Sequence, residues 1–106
     1  MAISNSIKQN AEVYETLGDV YFEWKQYDLA ISNYKISIQN VETNEVKLKL
    51  AKALQLNENY QESINEYLSI NKENLSNWQL TSLYEGLGDV YIKTQEFNAA
   101  IKAYNE

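Results

Sequence analysis

Tyr14-Glu-Thr-Leu-Gly-Asp-Val-Tyr21 recurs seventy residues later as Tyr84-Glu-Gly-Leu-Gly-Asp-Val-Tyr91, with seven of eight positions identical. A degenerate third version lies between them, Lys47-Leu-Lys-Leu-Ala-Lys-Ala-Leu54, in which Leu50, Ala51 and Leu54 hold the places of Leu17, Gly18 and Tyr21. Self-similarity of this kind marks an array of small supersecondary units, none of which can bury its apolar face alone. Working outward from the copies, apolar residues step by three and four, the period of one helix face.

From Ile3 on, Ile7, Ala11, Tyr14, Leu17, Gly18 and Tyr21 follow that step and predict a helix over 5–24. Ala30, Ile31, Tyr34, Ser37 and Ile38 predict a second, with Asp28 as its cap and an end near Asn40. Thr43 is expected to cap a third helix carrying Val46, Leu50, Ala53, Leu54 and Leu56, which Asn57-Glu-Asn59 breaks. Ile64, Tyr67, Leu68 and Ile70 repeat the second-helix pattern. Ser76-Asn-Trp-Gln79 has the form of a capping box and opens a fifth helix running through Tyr91, and Phe97 to Tyr104 begins a sixth. No stretch alternates with period two, so no sheet is expected.

Aligned, the three helix pairs begin near Ala11, Asn44 and Thr81. All nine tyrosines then fall on four places of the unit: the fourth (Tyr14, Tyr84), the eleventh (Tyr21, Tyr91), the seventeenth (Tyr27, Tyr60) and the twenty-fourth (Tyr34, Tyr67, Tyr104). Residues scattered for a ligand would not obey such a rule, so packing of helix on helix is their expected role, with those of the eleventh place in the core. Glycine inside a helix costs about 1 kcal/mol, which points to close backbone approach at Gly18 and Gly88 and, in the middle unit, at Ala51. Gly86 has no counterpart and reads as a tolerated surface position. Trp24 and Trp78, near helix ends, read as packing residues.

Composition excludes several functions. The chain has 106 residues, enough for a single domain spanning 1–106 but not for a large cleft between two domains. It has no cysteine and no histidine, so disulfides, ordinary zinc or copper sites and Cys–His or Ser–His nucleophiles are ruled out within it. Its charge of −6 opposes binding to nucleic acid and favours a basic partner. No apolar run suits a membrane span and the N-terminus has no signal-peptide pattern, so a cytoplasmic protein is expected. Without proline, helix ends depend on caps and turns alone.

The chain resembles a tetratricopeptide-repeat protein. Tyr14, Leu17-Gly18, Tyr21, Ala30 and Tyr34 fit that family's pattern, as do Tyr84, Leu87-Gly88, Tyr91, Ala100 and Tyr104, while Leu50-Ala51, Leu54, Ser63 and Tyr67 fit it more weakly. Two departures stand out: the proline that usually closes a unit is missing, and the second unit carries three or four extra residues. The resemblance implies an all-α, right-handed superhelical stack of three antiparallel helix pairs, over about 11–43, 44–80 and 81–106, the last one truncated.

It also implies a concave groove lined by the first helix of each unit. Carried over place by place, the groove takes Glu12, Glu15, Asp19, Phe22 and Glu23 from the first unit. The second supplies Glu45, Leu48 and Lys52 with Gln55 and Leu56, and the third Glu85, Asp89 and Ile92 with Ser82 and Lys93. Seven of these fifteen are acidic. The expected function is a protein-interaction scaffold taking a basic, partly apolar peptide, with no cofactor; a solvated acidic face is the competing reading. The family's clamp for acidic chaperone tails would fall on Glu15, Asp19, Lys49, Ser82 and Gly86, of which one is basic, so that ligand is rejected. Glu15 and Asp19 are the best paired acids for catalysis, yet no oxyanion donor or metal cage accompanies them and no enzyme is expected. A structural alternative is self-assembly through an uncapped C-terminal face of Leu83, Leu87, Ala100 and Tyr104.

Overall fold

A computed structural model describes residues 5–106; Ile3 and the rest of 1–4 lie outside the described residues. Those described form α1 (Asn5–Glu23), α2 (Tyr27–Asn40), α3 (Asn44–Leu56), α4 (Tyr60–Ser69), a 3₁₀ turn (Lys72–Asn74), α5 (Asn77–Lys93) and α6 (Phe97–Tyr104), with no strand among them. Each helix packs on the next in sequence, and α3 also touches α5, so the three pairs stack into an elongated body of 45 × 31 × 19 Å.

Helix boundaries follow local chemistry. Thr43 caps α3 by accepting a hydrogen bond from the Val46 N–H. Ser76 and Gln79 form the capping box of α5: the Ser76 hydroxyl accepts from the Gln79 N–H at 3.3 Å, and the Gln79 side chain accepts from the Ser76 N–H at 2.9 Å. Asp28 is no cap, because α2 starts one residue before it; its carboxylate instead accepts from the Asn57 amide at 2.8 Å, tying the first repeat to the second.

The three odd-numbered helices end identically. Lys25, Glu58 and Gln95 have φ of 63°, 65° and 64°, and the next residue's N–H (Gln26, Asn59, Glu96) returns at 2.8 Å to the carbonyl of Tyr21, Leu54 or Tyr91. Together with the Lys25-to-Phe22, Glu58-to-Gln55 and Gln95-to-Ile92 bonds, which span three residues each, this is a Schellman turn made without glycine. The extra residues of the second unit are absorbed by the 3₁₀ turn, which Asn71 opens with its side chain.

The core lies at the junctions between repeats. One cluster joins Ala30, Ile31 and Tyr34 of α2 to Val46, Leu50, Ala53 and Leu54 of α3. The other joins Ile64 and Tyr67 of α4 to Leu83, Leu87 and Val90 of α5, and also includes Ala51, Ile70 and Ala103. Leu83 and Leu87, expected from the sequence to be uncovered with Ala100, are buried because α4 lies on them, and Ala100 is buried as well. The core tyrosines are therefore Tyr34 and Tyr67 of the twenty-fourth place, whereas Tyr21 and Tyr91 of the eleventh are only half-buried. The correction has a geometric cause: the twenty-fourth place faces both its own first helix and the following repeat.

Glycine placement matches this. A Cβ on Gly18 would stand 2.5 Å from the Tyr34 ring, and one on Gly88 would stand 2.7 Å from the Tyr104 ring. In the middle unit Ala51 occupies that place, and Tyr67 reaches instead to α5, where a Cβ on Gly86 would lie 2.2 Å from its hydroxyl oxygen. Gly86 is buried, not a surface position; the ring that requires it comes from the preceding repeat. Ser63, standing where Ala30 and Ala100 stand in the other repeats, is buried and satisfies its hydroxyl by donating to the Ala51 carbonyl at 2.8 Å.

Candidate binding groove

A groove of about 450 Å³ runs between α1, α3 and the start of α5, floored by Tyr34 of α2. It brings together seven residues expected there from the sequence: Asp19, Phe22 and Glu23 of α1, Glu45, Leu48 and Lys52 of α3, and Ser82 of α5. Lys49, Trp78 and Gln79 complete it, with Tyr34 beneath. The other expected residues lie elsewhere. Glu12 lines a depression on the other side of α1 with Val13 and Leu17. Glu85 lines a hollow near the C-terminus, Asp89 accepts a hydrogen bond from the Tyr104 hydroxyl, and Ile92 is exposed and does not line the groove.

The acidic row of α1 is neutralised where it is densest. Lys49 reaches across from α3 and donates to Glu15 Oε2 at 2.7 Å and to Asp19 Oδ2 at 3.0 Å, with Glu45 Oε1 at 3.9 Å. Partial burial works to lower the Lys49 pKa, but its hydrogen bonds to Glu15 and Asp19 and the charges of those carboxylates prevail and hold it above the ordinary lysine value. Asp19 uses its other oxygen to accept from the Tyr34 hydroxyl at 2.6 Å. Burial, then that bond and the nearby carboxylates, push the Tyr34 pKa strongly upward. Glu15 and Asp19 are thus structural, and the repulsion between like charges one turn apart on α1 is offset within the chain. A cation already paired twice is also poorly placed to hold an acidic tail.

What remains for a ligand is an apolar strip with charges at its rim. Phe22 and Leu48 are half-buried, and Trp78, the second residue of α5, is 69% exposed. Trp24 is likewise exposed, its ring stacked on Tyr21 with centroids 6.4 Å apart. Neither tryptophan packs in the core, because each follows or opens a helix on the solvent side of its turn. The sequence signal available for Trp78 was its position two residues after the capping Ser76, which places it in the first turn of α5. Glu23 has no ion-pair partner among the described residues.

These features define a helical-repeat protein with a solvent-open groove. A family model described as tetratricopeptide repeat matches residues 11–39 and 81–106, more than half of the chain, and the chain belongs to that family. Repeats of this family generally mediate protein–protein interaction. No curated protein matches the chain. Among the described residues no helix is long and apolar enough to cross a membrane.

Proposed function

We propose that the chain is a non-catalytic protein-interaction module whose groove takes a basic, partly apolar peptide segment. The observation that carries this reading is Trp78, a large aromatic left open to solvent beside Phe22 and Leu48 in a concavity rimmed by Glu23 and Glu45. Tryptophan is among the side chains, with tyrosine and arginine, in which interface binding energy is most often concentrated. The rim carboxylates, each exposed, contribute orientation and association rate rather than affinity, since such pairs are worth only about 0–1 kcal/mol. Lys52 at the same rim selects against a ligand that is basic throughout, so the favoured segment alternates cationic and apolar residues.

The test is binding to an array of basic amphipathic peptides. Trp78→Ala should weaken the peptides selected by the native protein by at least about tenfold at every salt concentration. Charge reversal with Glu23→Lys and Glu45→Lys should slow association at low salt, an effect that fades once the screening length falls below about 8 Å. Peptides bound equally well by both variants would refute the reading. Glu15 and Asp19 are unsuitable probes, because reversing them would place new cations against Lys49 and break its two bonds.

A further inference from the structure

Part of the charge in the groove is already committed to the fold. Asp19 accepts with both oxygens, from Tyr34 and from Lys49, and Lys49 also donates to Glu15. Two charges of α3 are held less. Glu45 stands 3.9 Å from Lys49 with its side chain 64% exposed, and Lys52 makes no ion pair among the described residues. Both line the groove.

Lys52 is uncommitted because of its place in the repeat. The ninth place holds Asp19 in α1 and Asp89 in α5, and each accepts from the tyrosine of the twenty-fourth place, Tyr34 or Tyr104. An ammonium group has no acceptor to offer a tyrosine hydroxyl, and Tyr67 donates to Gln55 instead. The middle unit thus gives up the bond that employs the ninth place in the fold. In a chain with a net charge of −6, it sets an exposed cation into the lining of the groove.

Glu45, Leu48 and Lys52 follow one another at i, i+3 and i+7, so they share one face of α3 in the order acid, apolar, base. The seven-residue step from the acid to the base rises about 10.5 Å. An extended peptide keeps alternate side chains on one face at about 3.3 Å per residue, so its first, third and fifth side chains span about 13 Å. The difference lies within the reach of the long, flexible side chains at the two ends.

We infer that the ligand of the groove carries a carboxylate as well as a cation. Its basic residue meets Glu45, an apolar residue two places away packs on Leu48, and an acidic residue two places further meets Lys52. This rests on the reading of the groove as a peptide site and supplies the half of the ligand that the acidic composition of the chain conceals. A segment basic at both ends would set a like charge against Lys52. Glu23 and Glu45 together still outnumber Lys52, so the ligand keeps a net positive charge.

The probes are blocked peptides with a five-residue centre flanked by glycine. Leucine stands third, and the first and fifth positions hold lysine and glutamate in either order, lysine and glutamine, or lysine twice. Affinities are compared at about 0.15 M salt, where a screening length of about 8 Å suppresses the overall charge of the chain and spares contact pairs. The native protein should bind the better lysine–glutamate order about two- to fivefold more tightly than the lysine–glutamine or double-lysine peptide, the range of an exposed ion pair. Lys52→Gln should erase that advantage and Lys52→Glu should transfer it to the double-lysine peptide, with circular dichroism showing both variants folded. Trp78→Ala should weaken all the peptides alike. A double-lysine peptide bound by the native protein as tightly as lysine–glutamate, or an advantage that survives Lys52→Gln, would overturn the inference and leave the groove reading intact. Failure of the native protein to bind any of the peptides would overturn both.

Discussion

Gly86→Ala separates two physical readings of one residue by sign. At an exposed mid-helix position, replacing glycine with alanine stabilises by about 1 kcal/mol through helix propensity. In this structure the new Cβ would stand 2.2 Å from the Tyr67 hydroxyl oxygen and 2.6 Å from the adjoining ring carbon. Non-bonded carbon contacts are comfortable at about 3.5–4.0 Å, so the ring must retreat by roughly 1 Å. Tyr67 has nowhere to go, being 2% exposed and packed among Ile64, Leu83 and Leu87. Overpacking of this kind costs about 1–3 kcal/mol. A moving ring also strains the bond from the Tyr67 hydroxyl to Gln55 Oε1 at 2.9 Å, a loss of about 0.5–1.5 kcal/mol.

Set against the propensity gain, the net expectation is a destabilisation of about 1–3 kcal/mol. Thermal unfolding followed by circular dichroism should show Tm falling by roughly 5–20 °C in a domain of this size. Tyr67→Phe removes the atom nearest the new methyl, so Gly86→Ala should cost less in that background, and a double-mutant cycle reads the coupling. A Gly86→Ala protein that melts higher than the native one would refute the argument, and with it the assignment of Tyr67 to the second junction.

Alkaline pH should weaken the fold through three groups with raised pKa values. Burial and the Asp19 bond raise Tyr34, burial and the Asp89 charge raise Tyr67, and the bonds to Glu15 and Asp19 hold Lys49 up against its partial burial. The folded chain keeps these protons longer than the unfolded one, so their contribution is complete below about pH 10 and is lost as pH rises beyond it. A urea midpoint unchanged between about pH 9 and 11 would contradict this, and Tyr34→Phe should flatten the loss. Glu58→Gly should stabilise by roughly 0.5–1 kcal/mol, since a side chain at φ 65° carries left-handed strain that glycine avoids; a lower melting temperature would show that the turn is held by its side chain.

The sequence was most legible where a signal is local or repeated. The capping box at Ser76 and the cap at Thr43 are read from four adjacent residues, and the recurrence of Leu17-Gly18 in Leu87-Gly88 sets the repeat register, because each glycine answers to a tyrosine sixteen residues on in its own unit. What was hidden depends on contacts between units. Gly86 is demanded by Tyr67 of the repeat before it, and the left-handed turns at Lys25, Glu58 and Gln95 fall on three unrelated residue types. The acidic row of α1 was visible as charge, but Lys49 lies thirty or more residues from the carboxylates it joins, and no helical period connects them.

Lys49 also explains why the groove can be acidic in composition and moderate in field. The sixth place of the unit is Thr16 in α1, Lys49 in α3 and Gly86 in α5, so only at the first junction does this place carry a charge. There the lysine replaces the close contact that glycine permits at the second: Tyr34 bonds to Asp19, Asp19 to Lys49, and Lys49 to Glu15, linking all three helices of the first junction. Tyr67 at the second junction has Lys52 at the ninth place of its own unit where Tyr34 and Tyr104 have an aspartate, and it turns to Gln55 instead. That exchange leaves Lys52 in the lining of the groove together with Glu23, Phe22 and Leu48. The rim asymmetry on which ligand orientation would depend is thus tied to the residue that replaces aspartate in the weakest repeat.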